Sequence, residues 1–237
     1  MTNAHGNRHV VVRSIERADA ATVDALAPIG TATVHEAIGR RGFLGSAFRP
    51  IQRDVKVAGA AVTVLSHPGD NGMIHAAVEQ CREGDVLVVA STAPSSHGAF
   101  GDLLATSLMV RGVRALVTDT GVRDTADLRA MGFPVWSQHV GVQGTVKNTP
   151  GSVNVPIRIG GQVVHPGDVI CADDDGVVVV ARTEAATALE QSNARLANEE
   201  VARATLAAGE LGLDFYGLRD RLAAQGVEWV DSLDEPT

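Results

Sequence analysis

Apolar residues recur along this chain in two alternating rhythms. Val57 to Leu65 and Asp85 to Ala90 are short runs of small and β-branched residues that read as strands buried on both faces. Between them, Met73 to Cys81 spaces its apolar positions as a helix does, with Asp70 or Asn71 as a candidate cap. Phe100 to Leu128 reads as helix, strand, a tight turn at Gly121-Val122-Arg123-Asp124, and a second helix; Phe133 to Ser137 reads as another strand. Strands alternating with helices predict parallel βαβ crossovers and an α/β fold, in which ligands gather at the carboxyl ends of the strands.

The flanking pattern is less regular. Residues 1–13 form a polar lead ending in His9-Val10-Val11-Val12, followed by helical spacing over Ala18–Leu26 and Val34–Ile38, broken at Pro28-Ile29-Gly30. Thr31 or Thr33 is placed to cap the second helix, with Glu36 at the capping-box distance from Thr33. Ser91 to Gly101 reads as an irregular loop, longer than most βα connections and therefore a candidate for function. From Gly144 to Arg182, Val-rich runs separated by Pro-Gly, Gly-Gly and Asp173-Asp174-Asp175-Gly176 predict strands packed against the βαβ core, with the Asp run as a hairpin turn. Thr183 then opens a long helix to about Ala208, and Leu218–Ala224 a last one. The expected organisation is one core domain over 1–182 carrying the site, with a helical extension over 183–237.

Charge and composition narrow the partners. A net charge of −8 without any Lys/Arg run argues against nucleic acid, and no apolar run approaches the roughly 18 residues of a membrane span. A cytoplasmic protein acting on a small molecule is the expectation. Cys81 and Cys171 stand apart, in neither a C-x-x-C nor a metal-ligand spacing, and read as buried free thiols.

Asp102 and Arg123-Asp124 fall at the ends of neighbouring strands and should lie side by side. The amides of Leu103 and Leu104, at a helix N-terminus approached over Gly101, suit a carboxylate or phosphate. Arg123 brings a fork for planar oxyanions and Asp124 a hard oxygen ligand, a set that fits Mg2+ or Mn2+ and enolate chemistry on a 2-oxo acid. The same residues also read as two helix caps and a surface ion pair. His75 reads first as a structural histidine, ahead of His67, His97 and His139.

Asp102, twenty residues, then Arg123-Asp124 resembles the D-x20-R-D signature of the class II pyruvate aldolases acting on 4-hydroxy-4-methyl-2-oxoglutarate and 4-carboxy-4-hydroxy-2-oxoadipate. The likeness runs through T-A-T-V-H-E-A at 31–37, P-G-D-N-G-M-I-H at 68–75, F-G-D-L-L-A-T-S at 100–107, G-S-V-N-V-P-I at 151–157, P-G-D-V-I-C-A-D-D-D-G-V-V at 166–178 and L-G-L-D-F-Y at 211–216. It implies a layered α/β sandwich of the swivelling β/β/α type with a long C-terminal helix. It further implies Asp124 as metal ligand and Arg123 as the residue polarising the 2-oxo oxygen, with Gly101, Leu103 and Leu104 seating the pyruvyl carboxylate. Asp102 would orient a water on the metal. Asn71 and His75 would stand near substrate or an activating anion, and Glu199 would reach the site from an adjacent subunit of a trimer or hexamer. Read alone, Glu199 is a solvated helix residue beside an equivalent Glu200. The implied reaction is retro-aldol cleavage to pyruvate and a second oxo acid, with oxaloacetate decarboxylation as a side activity.

The sequence departs from that family at Gly72, where a Trp is usual, and in the loop 93–99, both on the side expected to recognise the substrate tail. Gly72 is expected to enlarge the pocket wall. Two rival functions follow: a non-catalytic regulator related to the regulator of ribonuclease E activity, disfavoured by Glu199 and the long helix, and a lyase or decarboxylase using another oxo acid.

Overall fold

The computed structural model describes residues 9–232. In chain order come α1 (Ala20–Leu26), α2 (Thr31–Ala37), β1 (Arg49–Pro50), β2 (Val57–Ser66), α3 (Gly72–Val78) and β3 (Asp85–Ser91). Next are β4 (Gly98–Phe100), α4 (Asp102–Met109), β5 (Ala115–Val122), α5 (Thr125–Ala130) and β6 (Val135–Val140). The C-terminal part holds β7 (Ser152–Val153), β8 (Ile157–Ile159), β9 (Gln162–Val164), β10 (Val169–Asp173), β11 (Gly176–Val180), α6 (Ala185–Ala207), α7 (Gly212–Phe215) and α8 (Leu218–Ala224).

The expected α/β architecture is present. Strands β2, β3, β5 and β6 lie parallel and adjacent, joined through α3, α4 and α5. Alternation along β3 divides two cores: Leu87 and Val89 face the layer with Ile74, Leu104, Leu108 and Leu128, while Val86, Val88 and Ala90 face Trp136, Ile157, Ile159 and Ile170. Covering both faces is what lets a strand be apolar throughout.

Several local expectations change. The Val-rich C-terminal runs do not only pack on the core: β10 adds antiparallel to β2, and β11 to β10, extending the same sheet. The loop expected from Ser91 to Gly101 contains β4, which pairs parallel with β5. Thr183 lies inside a short 3-10 turn, Arg182–Glu184, ahead of α6. The polar lead lies partly outside the described residues; within them, Val11 bridges Val153.

Neither Thr31 nor Thr33 caps α2. Gly30 holds the cap position, and Thr31, the first helical residue, donates its amide (2.7 Å) and hydroxyl (2.6 Å) to the buried carboxylate of Asp173. The Asp173 carbonyl in turn accepts the Trp136 indole N–H at 2.7 Å. This first aspartate of the acidic run therefore anchors a helix, while Asp174 and Asp175 form the expected hairpin turn between Asp173 and Gly176. Asp173→Ala should cost about 3 kcal/mol by losing a charged acceptor that serves buried donors. Urea denaturation checks this; an unchanged midpoint would contradict the anchoring role.

Contact density divides the chain into two compact units, the first ending at Ser192 and the second beginning at Asn193. In the second, Leu196, Val201, Leu206, Leu211, Tyr216 and Trp229 are exposed.

Candidate functional site

The site is assembled by the short strand β4. Gly98 pairs with Gly121 and Phe100 with Val122, and the Arg123 amide donates to the Phe100 carbonyl at 2.9 Å. This registration sets Gly101, the residue before α4, against Arg123 and Asp124, the residues after β5. The two stretches that sequence spacing brings together thus meet through main-chain pairing.

Asp124 sits in the left-handed region (φ 54°, ψ 37°) at the cap position of α5, yet its side chain caps nothing. Instead its carboxylate lies over Gly101: a Cβ on residue 101 would fall 2.2 Å from Asp124 Oδ2. Gly101 is itself extended (φ −155°), so it is space, not backbone conformation, that demands glycine there. Arg123 Nε stands 3.4 Å from Asp124 Oδ2, a loose pair with both side chains partly open to solvent.

Asp102 is the first residue of α4 and not its cap. Its Oδ1 accepts the Leu103 amide at 2.8 Å, so one of the two amides expected to seat a carboxylate is engaged by a carboxylate of the chain itself. A cavity of about 220 Å³ joins these residues to Leu104, Asn71, His75 and Lys147. Asn71 holds the cap position of α3 without capping it; its Nδ2 donates to the Ala99 carbonyl at 3.0 Å, while its buried Oδ1 has no partner. Burial, and after it the charge of Lys147, holds His75 below the ordinary histidine pKa.

Lys147 was not foreseen. It lies in a segment without periodicity, and its one visible signal is rarity, since it is one of two lysines in the sequence. Gly72 differs from expectation too: it does not line the cavity, and a Cβ there would stand 3.6 Å from the Lys147 Cα, so the 147 segment fills the space expected to widen the pocket.

Glu199 is on α6 in the second unit, paired with Arg195 at 2.9 Å. His97 takes a 3.2 Å contact from Ser95 Oγ to Nδ1 and, like His67 and His139, does not line the cavity. Both cysteines are free and buried, with burial pushing each thiol up to about 12, out of the nucleophilic range. Burial also raises Asp119 to about 6, against the opposing hydrogen bond from the Ser91 amide. A larger cavity, about 300 Å³, opens at the opposite ends of the strands, but its guanidiniums are committed, Arg17 to Asp85 and Arg114 to Asp24.

Among the described residues no three His, Cys, Asp or Glu side chains converge to cage a metal. The donor set is one loosely paired carboxylate, Asp124, with Asp102 in the same cavity, which fits an ion that keeps most of its waters, such as Mg2+ or Mn2+, and does not fit a zinc cage.

Fold and site together define an α/β protein with a cleft at the carboxyl ends of parallel strands, lined by Asp102, Arg123, Asp124, His75 and Lys147. The chain belongs to the RraA-like family, Aldolase/RraA, whose model matches residues 31–179. A Halalkalibacterium halodurans protein named "Putative 4-hydroxy-4-methyl-2-oxoglutarate aldolase" is 27% identical over 188 residues, covering 79% of this chain and 90% of its own. Among solved structures, Streptomyces coelicolor RraAS2, described as an unusual member of the RNase ES inhibitor RraA protein family, superposes with a TM-score of 0.72 at 31% identity, over 80% of this chain and 99% of its own. The RNA-processing inhibitor RraA from Thermus thermophilis gives 0.58 at 25% identity, over 64% and 92%. No described helix is long and apolar enough to cross a membrane.

Proposed function

We propose that the chain is a divalent-metal-dependent aldolase that cleaves a 4-hydroxy-2-oxo acid, of the 4-hydroxy-4-methyl-2-oxoglutarate or 4-carboxy-4-hydroxy-2-oxoadipate type, to pyruvate and a second oxo acid. The observation that supports this best is the Asp124 carboxylate over Gly101 with Arg123 beside it, at the mouth of one cavity with the α4 N-terminus.

In this reading Asp124 holds a cation, which when bound supplies Lewis-acid polarisation of the 2-oxo group. Arg123 hydrogen-bonds the same oxygen, and its contact strengthens as negative charge develops there. The substrate carboxylate takes the Leu104 amide and competes with Asp102 for the Leu103 amide. Displacing Asp102 releases its carboxylate toward the reacting carbons. A base removes the C4 hydroxyl proton, the C3–C4 bond breaks with its electrons passing into the 2-oxo group, and C3 then takes a proton to give pyruvate. Glu199 from an adjacent copy completes the acid–base set. The exposed apolar residues of the second unit support assembly, as a trimer or hexamer.

A second reading, a non-catalytic regulator of the ribonuclease E inhibitor type, has the descriptions of RraAS2 and the Thermus protein in its favour. A third keeps the lyase chemistry and changes the acid, since the loop 93–99 departs from the aldolases. Pyruvate release from 4-hydroxy-4-methyl-2-oxoglutarate, 4-carboxy-4-hydroxy-2-oxoadipate and oxaloacetate, with Mg2+ or Mn2+ and after chelation, separates them. We expect turnover that chelation abolishes. Full activity in chelator would remove the metal from the reading, and no pyruvate from any of the three would favour the regulator.

A further inference from the structure

The segment carrying Lys147 is irregular but tightly held. The Asn71 amide donates to the Val146 carbonyl and the Val146 amide to the Gly69 carbonyl, each at 3.0 Å, forming a parallel bridge between Asp70 and Val146. On the other side of Lys147, the Asn148 and Thr149 amides donate to Asp70 Oδ2 at 2.6 and 2.8 Å. Asp70 Oδ1 accepts the Gly72 amide at 2.8 Å, and Asp70 is only 2% exposed. One buried carboxylate therefore ties the first turn of α3, which carries His75, to the backbone on the far side of Lys147. Burial alone would raise the Asp70 pKa, yet the amides of Gly72, Thr149 and Asn148 outweigh it and hold the group below the usual carboxylate range.

A lysine held this way has a use in the cavity. Arg123, Asp124 and the α4 amides account for the 2-oxo group and the first carboxylate, whereas the cation of Lys147 belongs to no ion pair within 4.0 Å among the described residues. We propose that Asp70 is a positioning residue, whose carboxylate holds the segment 146–149 so that Lys147 recognises the second carboxylate of the substrate, the one on C4. This rests on the aldolase reading and adds to it the origin of tail specificity. The buried Asp70 is suited to the task because its three acceptor contacts are all to main-chain amides, donors that have no rotamers of their own.

The test compares 4-hydroxy-4-methyl-2-oxoglutarate with 4-hydroxy-2-oxopentanoate, which lacks the second carboxylate. Lys147→Met and Asp70→Asn should each lower kcat/KM for the dicarboxylate by ~10- to 100-fold, mainly through KM, and change the monocarboxylate by less than about threefold. Lys147→Arg should retain most of the preference. The double variant should be no worse than either single one, because both remove the same contact. Equal losses on both substrates in Asp70→Asn, or an unchanged preference in Lys147→Met, would overturn the proposal.

A second readout needs no turnover. Nuclear magnetic resonance titration of His75 should show its pKa rising in Lys147→Met, and also in Asp70→Asn as Lys147 moves away. Direct loss of the Asp70 charge would lower it instead. A fall or no change in Asp70→Asn overturns the positioning role even if the wild type cleaves neither substrate, the outcome that would sink the aldolase reading itself.

Discussion

Asp124→Ala is expected to reduce metal-supported pyruvate release by about 10³-fold or more while lowering the melting temperature by only a few degrees, the cost of alanine in the left-handed region. The reasoning is geometric. The Asp124 side chain contributes no cap bond to α5 and, among the described residues, is paired with Arg123 through a long contact, so the fold draws little on it. Its charge is instead directed over Gly101, into the cavity, where it would serve as a hard oxygen ligand. Polarisation by a bound cation contributes on the order of several kcal/mol at the transition state, and each ~1.4 kcal/mol is a factor of ten in rate. Asp124→Asn is the matched control, since asparagine tolerates the left-handed backbone equally well and removes only the charge. Steady-state kinetics at saturating metal, with a thermal melt on the same samples, decide it. Retention of more than about a tenth of wild-type activity in both variants would remove Asp124 from the metal's coordination.

Gly101→Ala tests the same arrangement from the opposite side. The added methyl would lie 2.2 Å from Asp124 Oδ2 and 3.3 Å from Arg123 Cγ, so the carboxylate must move. A displacement of about 1 Å at a reacting centre is enough to lower turnover ~10²-fold. The backbone at 101 is extended and accepts alanine without strain, and the substitution touches neither charge, so stability should hold while apparent metal affinity falls. Titration of activity against Mg2+ or Mn2+ measures this. A wild-type metal dependence in Gly101→Ala would mean that Asp124 works from another position.

The sequence made the scaffold and half of the site legible, and the reason differs for each part. Asp85 to Ala90 is apolar without alternation because both sheet faces are covered, and that signal is local. The Asp102 and Arg123-Asp124 pair followed from the rule that successive parallel strands neighbour one another. What supports that pair was hidden. Gly-Ala-Phe at 98–100 has neither the length nor the β-branching of a strand and pairs only because β5 offers an edge beyond its bulge. Asp173 caps α2 across 142 positions, and Asp70 reaches Asn148 across 78, so no window along the chain contains both members of either pair. Thr33 and Glu36 offered a local cap of the usual kind, and a buried carboxylate from β10 supplanted it. The place of Lys147 was hidden for the same reason, as it depends on those distant bonds, and its rarity says nothing of where it stands.

The two paired residues of β4, Gly98 and Phe100, also separate two rates of change. Because Gly98 and Phe100 are tied directly to Gly121 and Val122, changes at the exposed positions 92–94 can be absorbed upstream without sliding Gly101 past Asp124. A lineage built on this frame can remodel what it welcomes while its bond-breaking apparatus keeps station, much as a workshop changes its jigs and leaves the vice bolted down.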